Sequence, residues 1–481
     1  MGREDAMRAD EYRTFDGLGL AALVARRQVS ARELLESAIS RAEAVNPAIN
    51  ALSQKLYESA LESVGYERNG PFAGVPFLLK DAGVTLAGTP TTQGSRLFAD
   101  ARADRDSTLV ERYKRAGVTV FGKTTTPEMS LAASTESSFF GRTRNPWDLS
   151  RSAGGSSGGA AAVVAAGIVP LAHGSDGGGS IRIPASCCGL FGLKPTRART
   201  PSGPNAGEGW GSLSVSHVLS RSVRDSAAML DATAGPAPGD PYWAPPPERP
   251  YLEEVGREPG RLRVALQVSP LSGVAVAPDC RAAAEDAAAL LAALGHAVEP
   301  AILPGDWEEL GHALWVLVAS NVSLSLQQRG EALGRAVTEA DVDPVTWNAV
   351  AFSRTLRVED YPAALASIHR QGRRMAAFME RFDVILSPTL GQVPVPLGTQ
   401  RTDNPDIEAY GRALAQFTPF TQMFNITGQP SMSVPLSWTG GGLPVGIMVS
   451  AGFGQEGLLF RLAAQLEQAR PWFDRVPEVV S

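Results

Sequence analysis

The chain is poor in cysteine and histidine, and it has no long run of one charge or of apolar residues. Among 481 residues the cysteines are Cys187, Cys188 and Cys280. An odd count that includes an adjacent pair excludes a disulfide framework and fits a reducing compartment, so a cytoplasmic location is expected. Lysine and arginine number 44 against 50 acids, a net charge of -6, and no stretch gathers the bases into a block. Such a pattern lacks a surface for phosphate backbones, and no nucleic acid partner is expected. The most apolar stretch, Ala160 to Ala172, has 13 residues and contains Gly167 and Pro170, against roughly 20 needed to cross a bilayer. It reads as a buried small-residue helix, and no membrane partner is expected. Glu4 and Asp5 stand early with no apolar run behind them, which argues against a secretory signal, and Ala6 breaks the myristoylation pattern.

What is present is ordinary globular composition, 44% hydrophobic and 20% charged, in a chain long enough for a large core. Ser30-Ala31-Arg32-Glu33 is a capping box, and apolar residues recur at helical spacing from Leu34 to Val45, up to Pro47. Val75 to Leu79 predicts a buried strand, Ser107 to Ala116 a helix, and Val118 to Phe121 the next strand. Gly235 to Gly260, rich in proline and acid, reads as a surface loop. Leu262 to Leu266 then resumes a strand and Cys280 to Leu294 a helix, with late strands at Asp383 to Leu386 and Pro444 to Val449. Helix and strand alternate, so the class is α/β.

Two glycine-rich turns carry serines, Gly154-Gly155-Ser156-Ser157-Gly158-Gly159 and Asp176-Gly177-Gly178-Gly179-Ser180. Glycine lets a substrate approach the backbone, so a serine in such a turn places a hydroxyl and main-chain N–H groups around one carbonyl. That layout suits acyl transfer, but a nucleophilic serine needs a base. The five histidines are scattered without an acid partner, and His173, the one near the turns, reads as a packed neighbour. Lys80 ends the apolar run after Leu79. Burial disfavours an ammonium, so a buried Lys80 would be shifted toward neutrality; taken alone, it also reads as a strand-end lysine in a salt bridge. Gly117 to Thr124 matches the phosphate-loop pattern G-x-x-x-x-G-K-[ST]. Its interior residues Val118, Thr119, Val120 and Phe121 are strand formers, a helix precedes it and Pro127 follows, so the match is rejected. A P-loop nucleotide-binding protein remains the remote alternative.

Together these residues resemble the amidase signature family. Leu79-Lys80-Asp81, Gly154 to Gly159, Gly174 to Pro184 and Gly189 to Thr196 fall in order, with Ser180 placed 24 positions after Ser156. The resemblance extends more weakly to Ser30, to Pro388-Thr389 and to Phe424 to Pro430. It implies an α/β fold with a large mixed β-sheet covered by helices on both faces, in a single domain spanning 1–481. Within it, 1–70 would be an N-terminal helical region, 71–200 the catalytic core, 201–380 substrate-side loops and helices, and 381–481 the C-terminal part of the same sheet. It implies that Ser180 is the nucleophile, that Ser156 bridges after a cis bond from Gly155, and that neutral Lys80 is the base. The N–H groups of Gly177, Gly178, Gly179 and Ser180 would form the oxyanion hole. Asp176 and Arg182 would hold the turn, equally readable as a structural salt bridge, and Ser157 would hydrogen-bond within its loop or serve as a small turn residue. Gly177 departs from the pattern, which usually carries a side chain there; its absence would widen the site or loosen the loop.

Thr143 to Leu149, Ala172 to Asp176 and Ile183 to Ser186 further resemble the stand-alone branch of the family. That branch includes nylon-oligomer (aminohexanoate cyclic dimer) hydrolases, aryl acylamidases and urethanase-like carbamate hydrolases. The resemblance implies hydrolysis of a small-molecule amide, ester or carbamate, with no metal and no organic cofactor, by a monomer or homodimer. The alternative is the glutaminase subunit of a tRNA-dependent amidotransferase. Substrate walls are expected from loops outside the core motifs, at Asn205 to His217, Trp307 to Asn321 and Phe417 to Asn425. Trp210, Trp315, Phe420, Phe424 and Asn425 are the candidate lining residues, although aromatic residues are more often core.

Overall fold

Ser30 starts the first long helix as a reciprocal cap: its Oγ accepts from the Glu33 N–H at 3.2 Å, and the Glu33 carboxylate accepts from the Ser30 N–H at 2.7 Å. The helix runs Ala31–Ile49, past the Pro47 expected to end it. A proline this late removes one backbone hydrogen bond, and the last turn is closed by the Asn50 N–H onto Asn46 O at 2.7 Å. The chain is described by a computed structural model that covers residues 7, 9–64 and 69–478. The residues on which the secretory-signal and myristoylation readings rest, 1–6, lie outside the described residues.

Besides two short two-stranded ribbons between residues 136 and 152, the strands in chain order are β1 Leu52–Lys55, β2 Pro76–Lys80, β3 Thr119–Thr124, β4 Leu171–Asp176, β5 Phe191–Lys194 and β6 Val215–Ser220. They continue as β7 Arg263–Leu266, β8 Ala297–Pro300, β9 Val384–Pro388, β10 Ser431–Trp438 and β11 Pro444–Ala451. Eight of them form a mixed sheet in the order β8-β7-β9-β11-β10-β5-β6-β4, and β1-β3-β2 form a second sheet. Pairing is parallel for β7 with β8 and β9 and antiparallel across the rest of the large sheet, while β2 runs parallel to β3 with Lys80 opposite Thr124. The two sheets meet where β2 lies against β4: the Lys80 N–H donates to His173 Nδ1 at 3.2 Å.

Strand period sends alternate residues to opposite faces, and helices cover both. Val264, Val384, Leu386, Ile447 and Val449 pack with Ala284 and Leu291 of the helix Pro278–Ala293. Their neighbours Ala265, Ile385 and Met448 face the helices Trp307–Leu333 and Asp360–Phe378 on the other side. A third core surrounds β2, β3 and the buried helix Gly158–Ala165. Segment 201–380 therefore supplies three strands, β6, β7 and β8, besides its loops and helices.

Two expectations are corrected. Ala160 to Ala172 is not one helix: the helix stops at Ala165, the chain turns at Gly167 with φ +65°, and the strand β4 begins at Leu171. Glycine at a left-handed turn followed by Pro170 breaks the helix that the apolar composition suggests. Trp307 to Asn321 is helix rather than loop, the start of the helix Trp307–Leu333. The phosphate-loop letters form strand β3, where a Cβ at Gly122 would lie 2.6 Å from Gln54 O. Lys123 is buried there, with Nζ 2.5 Å from Pro90 O and 3.8 Å from Asp81 Oδ1. The three cysteines are free and buried. Among the described residues no helix is long and apolar enough to cross a membrane.

Candidate active site

Lys80 ends strand β2, and its apolar predecessors carry it wholly into the interior. Its Nζ lies 2.7 Å from Ser156 Oγ and 2.9 Å from Ser175 Oγ. Burial lowers its pKa to about 7, against the pull of the Asp176 charge toward the ammonium form. A lysine poised there supplies a lone pair near neutral pH, as a base requires.

Ser156 sits in the turn before the helix Gly158–Ala165, and the Gly155–Ser156 peptide is cis. The glycines of this turn are demanded by close packing: a Cβ at Gly155 would stand 2.3 Å from Ser134 O, and one at Gly159 would stand 2.5 Å from Thr125 Oγ1. Ser157 ties the turn to β4, donating to Ser175 O at 3.2 Å and accepting the Ser175 N–H at 3.3 Å. The Ser157 N–H donates to Ser180 O at 3.3 Å, so the two serine turns touch. Among the described residues the Ser180 hydroxyl makes no hydrogen bond, and the Ser156–Ser180 step is not hydrogen-bonded in this structure.

Ser175 is a site residue that the sequence reading passed over. The signal was strand period: His173 and Ser175 lie on one face of β4, so one takes the Lys80 backbone N–H and the other its Nζ. The helix read over Ala160 to Ala172 covered the start of this strand at Leu171. His173 stays neutral, its pKa lowered to about 3 by burial and by the nearby Lys80 and His217. It is the packed neighbour expected, with its Nδ1 already accepting from Lys80.

Asp176 and Arg182 are both fully buried and hold the Ser180 turn. Arg182 Nε and Nη2 donate to the two Asp176 oxygens at 2.9 Å each, and Arg182 also reaches Thr421 O at 2.7 Å and Asn425 Oδ1 at 2.6 Å. Burial favours the protonated acid, but the Arg182 charge and hydrogen bonds overcome it and hold Asp176 well below the usual carboxylate range. Asp176 Oδ1 also accepts the Gly179 N–H at 2.8 Å. That commits one of the four expected oxyanion donors to the turn itself and leaves Gly177, Gly178 and Ser180. Gly179 has φ +132°, and a Cβ there would meet Thr421 Oγ1 at 2.5 Å, so no larger residue fits.

Gly178 and Ser180 are partly exposed, and they open onto a cavity of about 110 Å³. Trp210, Trp315, Ile183, Leu314 and Val318 line it, and no charged side chain does. Phe420 and Phe424 do not line it: they are buried in the helix-side core, 3% and 0% exposed. Asn425 is likewise internal, donating from Nδ2 to Asp176 O at 3.0 Å and to Leu213 O at 3.1 Å. The helix Met423–Thr427 buries Phe424 and Asn425 along its length, and Phe420, just before it, is buried in the same core. Two larger hollows, of about 550 and 530 Å³, are lined by none of Lys80, Ser156, Ser175 and Ser180. Among the described residues no cluster of His, Cys, Asp and Glu has the arrangement of a metal site.

The model of the amidase family matches residues 33–460. The 6-aminohexanoate-cyclic-dimer hydrolase of Paenarthrobacter ureafaciens is 39% identical over 482 residues, covering 97% of each chain. The structure of a 6-aminohexanoate cyclic dimer hydrolase complexed with substrate superimposes with a TM-score of 0.91 at 38% identity, over 98% of this chain and 100% of that one. A bacterial aryl acylamidase of the amidase signature enzymes superimposes with a TM-score of 0.86 at 28% identity, over 95% and 96% of the two chains.

Proposed function

The chain belongs to the amidase family, and on that premise we propose that it hydrolyses neutral small-molecule amides through an acyl-enzyme on Ser180. The observation that carries this reading is the buried Lys80 Nζ at 2.7 Å from Ser156 Oγ, with its pKa lowered to about 7. Neutral Lys80 takes the Ser156 proton while Ser156 takes that of Ser180, whose oxygen attacks the amide carbon. The N–H groups of Gly177, Gly178 and Ser180 receive the developing oxyanion, where one such donor lowers the barrier by about 2.7 to 4 kcal/mol. The same relay then returns a proton to the leaving amine. Water, deprotonated by the relay in its turn, attacks the ester and releases the acid, restoring Ser180. No step draws on a metal or an organic cofactor.

The lining of the cavity selects among substrates. It offers no charged side chain, which favours neutral amides, including cyclic aminohexanoate oligomers and anilides, over free glutamine with its ammonium and carboxylate. The glutaminase reading is therefore second. Specificity constants for the purified chain on anilides, cyclic and linear aminohexanoate oligomers, carbamates and glutamine test this. Neutral amides should rank first; glutamine at the head of the ranking would contradict the reading.

A further inference from the structure

The gap left by Gly177 is filled from another part of the chain. A Cβ at Gly177 would lie 2.7 Å from Trp210 Cε3 and 2.9 Å from Trp210 Cζ3, with Ser214 Cβ next at 3.5 Å. Gly177 is not among the positive-φ glycines, so its φ does not itself demand glycine. What excludes a side chain is the indole edge alone. The expectation that glycine here widens the site is thus reversed: Trp210 takes up the space.

Trp210 is held in that position at some conformational expense. It has φ +53°, and Gly211 and Ser212 follow at +62° and +66°, a left-handed run that bulky residues disfavour. The turn is fastened by the Ser214 N–H onto Gly209 O at 3.1 Å and by Arg197 Nε onto Ser212 O at 2.9 Å. Asn425 Nδ2 reaches both Leu213 O and Asp176 O, joining the tryptophan turn to the residue before Gly177. The indole that this arrangement fixes lines the cavity beside Ser180.

We propose that Gly177 and Trp210 are a steric pair that determines substrate shape, the indole forming a wall that admits slim acyl groups and excludes those branched next to the carbonyl. This rests on the reading of Ser180 as the nucleophile of amide hydrolysis. A side chain at position 177 would push the indole into the cavity or out of its turn, and removing the indole would make room for that side chain. The two positions must therefore couple.

The test uses the full-length chain in four forms, wild type, Gly177→Thr, Trp210→Ala and the double variant, on the 4-nitroanilides of hexanoic and trimethylacetic acid. Wild type should prefer the linear acyl group by about tenfold or more, and Trp210→Ala should erase most of that preference, the scale of a methyl-sized misfit in a pocket. Gly177→Thr should lose about tenfold or more on the linear substrate, and Trp210→Ala added to it should restore most of the loss. Gly177→Ala provides a milder variant should the threonine form fold poorly. Independent, multiplicative effects, or an unchanged linear-to-branched ratio in Trp210→Ala, would overturn the pair. The rate of labelling of Ser180 by linear and branched alkyl fluorophosphonates reads the same coupling without turnover. Failure of wild type to cleave any amide would then strike the functional reading, whereas multiplicative labelling rates would strike the pair.

Discussion

Lys80 Nζ and Ser156 Oγ are 2.7 Å apart with both side chains fully buried, and among the described residues no carboxylate forms an ion pair with the lysine. A lysine so placed meets two hydroxyl oxygens and no directly paired carboxylate, so burial outweighs the pull of the Asp176 charge in its titration.

The first consequence is kinetic. The neutral fraction of Lys80 grows as pH rises through about 7, so kcat/KM for a neutral amide should climb through an acid limb near that pH and level above it. Lys80→Ala should lower kcat by about 10²- to 10⁴-fold, the usual worth of a positioned base. A profile flat from pH 5 to 9 would contradict the assignment.

The same titration carries a sign for stability. The folded pKa lies below that of a free lysine, so the unfolded chain binds more protons between about pH 7 and 10.5, and stability rises with pH across that window. At about 1.36 kcal/mol per pKa unit, the depression from 10.5 to about 7 is a handicap on the order of 5 kcal/mol, present in full below pH 7. Lys80→Met should therefore stabilise the fold most near pH 6, with the advantage shrinking toward pH 10. Denaturant unfolding at several pH values checks this, and a pH-independent difference would refute it.

Ser156→Ala should leave a small residue of activity, because Ser180 keeps its oxyanion donors. Ser175→Ala should cost about five- to tenfold, the worth of one hydrogen bond, and should move the acid limb to lower pH, since the Ser175 oxygen stabilises the ammonium form of Lys80. A drop in rate with an unmoved limb would show Ser175 to be structural only.

Asp176→Asn and Arg182→Met should each destabilise the chain by about 3 to 5 kcal/mol, because each strands the other's buried charge. The double variant should lose less than the sum of the two. Unfolding free energies that add would contradict the coupling.

Legibility in the sequence followed locality. The capping box at Ser30, the apolar run into Lys80 and the glycine turns at Ser156 and Ser180 are short-range patterns, and each is found where its letters suggested. Ser175 was passed over because Ala160 to Ala172 is apolar enough to read as one helix, so the strand that starts at Leu171 and carries His173 and Ser175 on one face was not recognised. Trp210 against Gly177 was out of reach for another reason. The two residues are far apart in sequence, and their contact depends on a left-handed turn that no local propensity favours. Phe420 and Phe424 pointed inward for the reason that makes aromatic pocket assignments weak, since core and pocket demand the same residue types, and Asn425 pointed inward to hydrogen-bond Asp176, Arg182 and Leu213.

The central claim is that Ser180 is the attacking residue and Lys80 the origin of its reactivity. Peptide mass mapping after reaction with a fluorophosphonate tests it most directly. The account predicts a single adduct, on Ser180, abolished in Ser180→Ala and formed far more slowly in Lys80→Ala at neutral pH. An adduct on Ser156 or any other residue, or undiminished labelling in Lys80→Ala, would contradict it.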